Sequence, residues 1–513
     1  LSPRLTLSPG LRYEYFGQGH RTGQEAPLDT SFYTSADSNP YSRIANGKLL
    51  RTIDAPGEYN GHYSRPDRSN LGPRMGLAYD LNGNGKTVLR MGGGLFFDRL
   101  NGFAYDNFNP PTFSLTRLQN FYLNPTSIGN PYAVFPSGPM QVPQSAIINL
   151  DQNLQTATTY QWNATIEHEF YRNFLVGASY LGSTGNQLYR FVNTNRIGSG
   201  EFLGRPGERL FNTASGIATI TNDGFSSYHG FQLRLESITF QTLGLHLGAN
   251  YTYSHSLDNV SSLAGDTLTG GGPFPLDAFN SRLDKASSDF DVRQRFVSYF
   301  IWQIPSPVNT TGFRRHLLGG WEIGGIFSFQ TGQPFSLSDN LVVDRDLGEN
   351  TRPRVSELLP QVLEGSARIK DARTPNAFLI LPVNSIRNFD GSCDPQAAPL
   401  SCQLSVNGPF DGSLGRNTFT QPGTHYENFA FMKNFSLSGL TGRENMNLQC
   451  RVEVYNLLNH SNLYLRVDTG NVAAPSFNVN PVLTVPGVVA SFGTPTGLPQ
   501  EARQIVLGMK LIF

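Results

Sequence analysis

Side chains that could make or break bonds are sparse in this sequence. There is no His-Glu-x-x-His pair for zinc, no Gly-x-Ser-x-Gly elbow, no Walker-type phosphate loop and no Cys-x-x-Cys pair. The nine histidines are scattered without metal-ligand spacing. No enzyme activity, resident metal or cofactor is expected. The best cation candidate is Asp80-Leu81-Asn82-Gly83-Asn84-Gly85, which matches the opening of a calcium loop. Its twelfth position is Met91 rather than a bidentate Glu, so a tight Asn-Gly hairpin turn is the stronger reading. Asp344-Arg345-Asp346 and the acidic residues from Asp284 to Asp291 read as solvated loop charges. Gly92-Gly93-Gly94 and Gly270-Gly271-Gly272 lack the strand-to-helix setting of a phosphate loop. Cys393 and Cys402 lie close together in a loop-like stretch and are expected to form a disulfide in an oxidising compartment. Two free thiols are the alternative. Cys450 falls in a strand pattern and reads as a small hydrophobe.

What remains is binding chemistry, and its carriers sit in runs of period two. In Tyr160–Phe170 the even positions Tyr160, Trp162, Ala164, Ile166 and Phe170 are apolar, and the odd positions are polar. A strand sends these two sets to opposite faces. Leu243–Ser254 and Arg503–Phe513 alternate in the same way. Twelve such strands are expected, near 4–16, 73–80, 87–97, 159–170, 174–188, 229–238, 243–255, 293–304, 320–330, 427–437, 446–456 and 502–513. No amphipathic helix competes, although 354–372 could hold a short one inside a loop.

Composition narrows the class. The chain has 513 residues, with 39 basic and 39 acidic side chains, so its formal net charge is zero. That balance argues against a nucleic-acid binder, which needs a basic face. Aromatics are 12%, too many for a disordered tail. At about 150 residues per domain the length suggests roughly three domains. The connections argue for one. Short links near 81–86, 171–173, 238–242, 305–319 and 438–445 alternate strictly with long ones at 17–72, 98–158, 189–228, 256–292, 331–426 and 457–501. A sandwich has no reason to gather its long loops at one end. A transmembrane antiparallel up-and-down barrel has short periplasmic turns and long extracellular loops.

In a barrel one strand face meets lipid and the other a polar lumen. Tyr13, Tyr15, Tyr160, Trp162, Tyr251, Tyr253 and Trp321 suit interfacial girdles. The lumen-facing candidates are Arg90, Glu167, Glu169, Arg234, Glu236, Asn250, Glu322, Gln330, Arg451 and Glu453. Loops 98–158 and 331–426 are the expected first contact with solute.

A series of segments carries a resemblance. It runs from Pro3-Arg4-Leu5-Thr6-Leu7 and Pro73-Arg74-Met75-Gly76-Leu77-Ala78-Tyr79-Asp80 through Gln161-Trp162-Asn163, Ser179-Tyr180-Leu181-Gly182-Ser183 and Tyr251-Thr252-Tyr253-Ser254-His255-Ser256-Leu257-Asp258-Asn259. It continues with Asp291-Val292-Arg293-Gln294-Arg295-Phe296, Gly320-Trp321-Glu322, Gln330-Thr331-Gly332-Gln333-Pro334-Phe335 and Arg451–His460. In order, and over nearly the whole chain, these resemble TonB-dependent outer-membrane receptors of the Oar-like group, whose barrel follows a carboxypeptidase-regulatory-like domain and a plug. The resemblance implies a barrel of about 22 strands. Residues 1–513 would then be the C-terminal part of the barrel, with plug and N-terminal domain absent. The alternative is twelve strands that close alone. The chain begins at Leu1 with no Met and no signal-peptide pattern, which fits a removed leader or an internal piece.

The resemblance also implies an assembly signal, a terminal aromatic after alternating hydrophobics: Leu507, Met509, Leu511 and Phe513. The implied partners are outer-membrane lipid, the barrel-assembly machinery, the TonB complex and a small solute. The implied function is energised uptake of a scarce siderophore, carbohydrate or peptide. A passive porin-like channel and a surface adhesion or secretion-linked barrel are the alternatives.

Overall fold

The computed structural model describes residues 3–17, 64, 66–100, 147–151, 153–170, 174–193, 217–237, 244–261, 275, 280–305, 317–339, 369–370, 378–379, 415–417, 419–420, 423–437, 446–460, 462–465, 476–479, 495–497 and 503–512. Twelve strands make the wall. They are β1 Leu5–Tyr13, β2 Leu71–Asp80, β3 Thr87–Asp98, β4 Ala157–Phe170, β5 Phe174–Asn193 and β6 Ile217–Ser237. The others are β7 Leu245–Asp258, β8 Gln294–Gln303, β9 Trp321–Gln330, β10 Thr424–Ser436, β11 Asn447–Tyr455 and β12 Gln504–Ile512. Each pairs antiparallel with the next in chain order. This is the up-and-down order expected from the alternating links. The path stays open: among the described residues β1 and β12 each pair on one side only, so the twelve do not close on themselves.

The tight ends are built by local chemistry. At the β2–β3 link, the Gly83 and Gly85 amides donate to the two carboxylate oxygens of Asp80 at 2.9 and 2.8 Å. Both glycines have positive φ, 72° and 70°, which L side chains rarely adopt. The calcium-like run is therefore a hairpin whose Asp is engaged by its own turn. Among the described residues no cluster of His, Cys, Asp or Glu could hold a metal. Of the 354–372 stretch only Ile369–Lys370 is described, and it pairs as a strand with Phe378–Leu379.

The wall has an inverted packing order. Leu11, Met75, Met91, Tyr160, Ile166, Tyr180, Phe231, Tyr253, Ile505, Leu507 and Met509 are all exposed. In water such a face would be costly, and in lipid it is the solvated one. Ten strands have 9–14 residues, enough to cross a bilayer at a tilt. The other two are longer than expected, 20 residues for β5 and 21 for β6. Their ends on the long-loop side continue past the span, with register shifts between Gly185 and Leu188 and between Leu188 and Arg190. There the short strand Ile147–Leu150 adds in parallel to Ile217–Ile220. Leu150, Leu154, Ala157, Phe191, Val192, Ala218 and Ile220 are the buried apolar residues of this extension, with Ile220 opposite both Leu150 and Phe191. The conventional core thus lies in a cap at the long-loop end, not in the wall.

Asp151 follows the added strand, and its amide donates to Ile220 O at 2.9 Å. Burial in the cap raises its carboxyl above the usual value, and the Asp223 charge adds to the rise, while the Asn153 amide opposes it. A raised acid is most stabilising while protonated, so this contribution is present below the unfolded pKa and is lost as pH climbs through the folded one. Asp151→Asn should therefore flatten the pH dependence of the cap and stabilise it at neutral pH. Amide exchange of Phe191 and Val192 measured between about pH 4 and pH 7 checks this; an unchanged slope refutes it.

Candidate functional site

Residues opposite one another in antiparallel strands share a face, so the registers can be followed across the sheet. Thr165 of β4 lies opposite Arg90 and Ser179, Ser179 opposite Gln232, Gln232 opposite Thr252, and Thr252 opposite Arg295, which faces Gln330. The next row runs Glu167, Gly177, Arg234, Asn250, Val297, Ser328 and Tyr426. The row after it runs Glu169, Leu175, Glu236, Gly248, Tyr299, Ile326 and Asn428. On β9–β12 the same face carries Glu322, Met432, Arg451 and Gly508, then Ala430, Glu453 and Val506. All ten polar candidates therefore share one side of the sheet. The exposed apolar set takes the other, in rows such as Ile166, Ala178, Leu233, Tyr251 and Phe296.

The charged face is paired rather than bare. Arg90 forms an ion pair with Glu167, and Arg234 with Glu236. Arg451 Nε stands 3.4 Å from Glu453 Oε1, and Glu453 also accepts from Tyr455 at 3.0 Å. Gly177 separates Glu167 from Arg234, and a Cβ there would stand 3.7 Å from each. The two ion pairs thus face one another across a position without a side chain. The arrangement is a band of alternating charges, half open to solvent, able to hydrogen-bond a polar solute. Glu169 and Glu322 lie on this face outside these pairs.

Two charged residues break the partition. Lys433 and Glu427 share the register of the apolar face, opposite Trp321 and Phe327. Lys433 lies at the short-link end, where its ammonium donates to Leu317 O at 3.2 Å and to Gly319 O, 4.8 Å above the Trp321 ring. The carbonyls and the ring together replace water around the charge. Glu427 is buried at the opposite end, with His425 Nε2 3.9 Å from its Oε1.

Leu507, Met509 and Leu511 project from the apolar face of β12, facing Val452, Cys450 and Leu448. Phe513 lies outside the described residues, as do Cys393 and Cys402. Cys450 is a half-buried free thiol on the apolar face.

Sequence reasoning missed a second polar assembly, at the long-loop ends of β7 and β8. Arg416 is buried there and is saturated: Nε donates to Asp284 O at 3.0 Å, Nη1 to Ser261 Oγ and Asp289 Oδ1 at 3.2 Å each, and Nη2 to Asp258 O at 3.1 Å and to Asp258 Oδ1. Asn417 donates to Ser287 O at 2.8 Å and to Asp289 Oδ1 at 2.6 Å. Beside it, buried Asp291 accepts from the Ser256 amide at 2.9 Å and meets His255 Nδ1 at 3.1 Å. Only the acidic content of 284–291 hinted at this, and it pointed to solvated charges.

Solved structures offer distant likenesses. The outer membrane transporter YddB from Escherichia coli aligns with TM-score 0.43 at 10% identity, over 86% of this chain and 41% of that one. The ferric-catecholate import receptor Fiu from E. coli K12 aligns with TM-score 0.39 at 8% identity, over 100% and 43%. The FrpB iron transporter from Neisseria meningitidis aligns with TM-score 0.36 at 11% identity, over 86% and 39%. The chain thus spans about two fifths of the length of these proteins. No curated protein matches the chain. A family model for the outer membrane beta barrel domain matches residues 1–505, nearly the whole sequence. With its twelve consecutive antiparallel strands, its exposed apolar face and this match, the chain belongs to the outer membrane beta barrel domain family and resides in the outer membrane.

Proposed function

We propose that the charged face lines the lumen of a TonB-dependent receptor of the Oar-like kind, and that the protein takes up a scarce siderophore, carbohydrate or peptide with energy delivered through TonB. The observation that carries the reading is the register: Arg90, Glu167, Glu169, Arg234, Glu236, Glu322, Arg451 and Glu453 all share the face opposite the lipid-suited one. A polar lumen lined by compensated ion pairs passes a hydrogen-bonding solute without holding it strongly, which suits transport better than storage. The partners in this reading are outer-membrane lipid, the TonB complex and the barrel-assembly machinery. That machinery would read Leu507, Met509, Leu511 and Phe513.

The deciding experiment is uptake by cells expressing the full-length protein. The probes are labelled ferric siderophores, oligosaccharides and short peptides, with TonB present or deleted. Uptake of one class that disappears without TonB supports the reading. Uptake that continues without TonB marks a passive channel, and none from any class marks a surface-binding barrel. Deleting Phe513 should lower the amount of barrel recovered in the membrane fraction; full recovery refutes its role as a signal.

A further inference from the structure

Three cations are buried among the described residues: Arg190, Arg416 and Lys433. Arg190 is paired with Asp223 at 2.5 Å, and Arg416 with Asp258 and Asp289. Lys433 has no carboxylate partner among the described residues, and its ammonium donates to the Leu317 and Gly319 carbonyls. Carbonyl dipoles satisfy donors but bring no opposite charge. An ammonium has three N–H donors, so the two carbonyls leave one donor over as well as the charge.

The surroundings indicate where the missing anion would come from. Lys433 stands opposite Trp321, the first residue of β9, and opposite Cys450 on its other side. Its side chain is therefore on the apolar face, at the short-link end. Phe435 follows on the same face, with its ring 5.3 Å from the ammonium. The Trp321 indole donates to Leu317 O at 2.9 Å, so this ring and the ammonium share one acceptor. Trp302 lies on the same face, opposite Ile323, which in turn faces Phe431. Trp302, Trp321, Leu317 and Leu318 are all exposed. Exposed tryptophans beside aliphatic side chains mark the level where acyl chains give way to headgroups. A lysine at that level ordinarily extends into headgroup water. This one is held back against two rings and the link, and a cation so placed calls for a partner of opposite charge.

A phosphodiester with acyl chains attached fits all of these features. Its free oxygens accept from the remaining N–H, and its single negative charge balances the ammonium. Its chains can lie along Leu317, Leu318 and the two tryptophans. A free phosphate ion would gain only the first two contacts.

We propose that Lys433 holds the phosphodiester of one glycerophospholipid in the leaflet at the short-link end of the wall. The proposal rests on the apolar face meeting lipid, and it is independent of uptake.

The test is native mass spectrometry of the full-length protein in detergent, with one probe titrated at a time. The probes are phosphatidylglycerol, diacylglycerol with the same acyl chains, and inorganic phosphate. The unaltered protein should retain one phosphatidylglycerol and neither of the other two. Lys433→Met, which keeps an apolar stem, should weaken that first binding step about fivefold or more, the share of one lysine at an anionic lipid surface. Lys433→Arg should keep it. Lys510→Met, at the same end of β12 but exposed on the charged face, should leave it unchanged. Heat-modifiable mobility shows which variants have assembled, and Lys433→Gln takes the place of Lys433→Met if the latter does not. Equal retention by the unaltered protein and the assembled uncharged variant overturns the site, as does diacylglycerol held as strongly as phosphatidylglycerol. Equal binding of inorganic phosphate marks a free-anion site and overturns the lipid. An equal loss in Lys510→Met overturns the placement at Lys433. Failure of energised uptake would leave this lipid difference in place, and failure of the lipid site would leave TonB-dependent uptake in place.

Discussion

Leu233→Arg should abolish most assembly of the barrel, whereas Gln232→Arg, one residue away, should be tolerated. Leu233 is exposed on the apolar face between Ala178 and Tyr251. It lies four residues above the end of β6 at Ser237. At about 3.3 Å per residue and a tilt near 40° it stands about 10 Å inside the membrane, close to the middle of an apolar band roughly 25 Å tall. A guanidinium there costs about 2–4 kcal/mol. That is a loss of about 30- to 1,000-fold in the folded population. Gln232 lies opposite Ser179 and Thr252 on the charged face, where an added cation meets polar neighbours. Denaturant unfolding in lipid bilayers and the heat-modifiable band on gels measure both. Equal loss from the two variants would refute the assignment of faces.

The second large effect should appear in the long-loop cap and stay there. Ile220 is fully buried, facing Leu150 on one side and Phe191 on the other. Ile220→Ala removes buried methyl groups from a small apolar cluster and should cost about 2–5 kcal/mol. Because the wall is held by lipid burial and continuous strand pairing, the loss should be local. Amides of Leu150, Asp151, Phe191 and Val192 should exchange much faster, while β8–β11 keep their protection. Cooperative loss of the whole barrel would show instead that cap and wall fold as one unit.

The two variants exploit different kinds of legibility. Tyr160–Phe170 could be read as a strand because its two faces meet different media, lipid and polar surroundings. That contrast writes period two into the residues. The same contrast placed Arg90, Glu167, Arg234 and Arg451 on one face before any register was known. It failed where the contrast ends. The pattern predicts a strand only from 229, whereas β6 begins at Ile217, because Ile217-Ala218-Thr219-Ile220-Thr221-Asn222-Asp223-Gly224 does not partition into faces. In the cap both sides of that segment are covered: Ala218, Thr219 and Ile220 are all buried, odd and even alike. Covering both faces erases the alternation.

Arg416 was invisible for a different reason. A single arginine in a long connection has no local pattern, and its partners Asp258, Asp284 and Asp289 lie more than 120 residues away. Lys433 is a similar case. On sequence it is a charge in an apolar register, and only the fold brings the Leu317 and Gly319 carbonyls and the Trp321 ring around it.

By itself, then, the sequence located the twelve wall strands, the order of short and long links, the outer-membrane setting and the two chemically distinct faces. These follow from repeated local contrasts, which each strand carries independently of the others. The tertiary structure alone decided the open path between β1 and β12, the position of the apolar core at the long-loop end, the two ion pairs that flank Gly177 and the burial of Arg416 among distant aspartates. Each of these depends on which distant segments share a register, and no local run of residues encodes that.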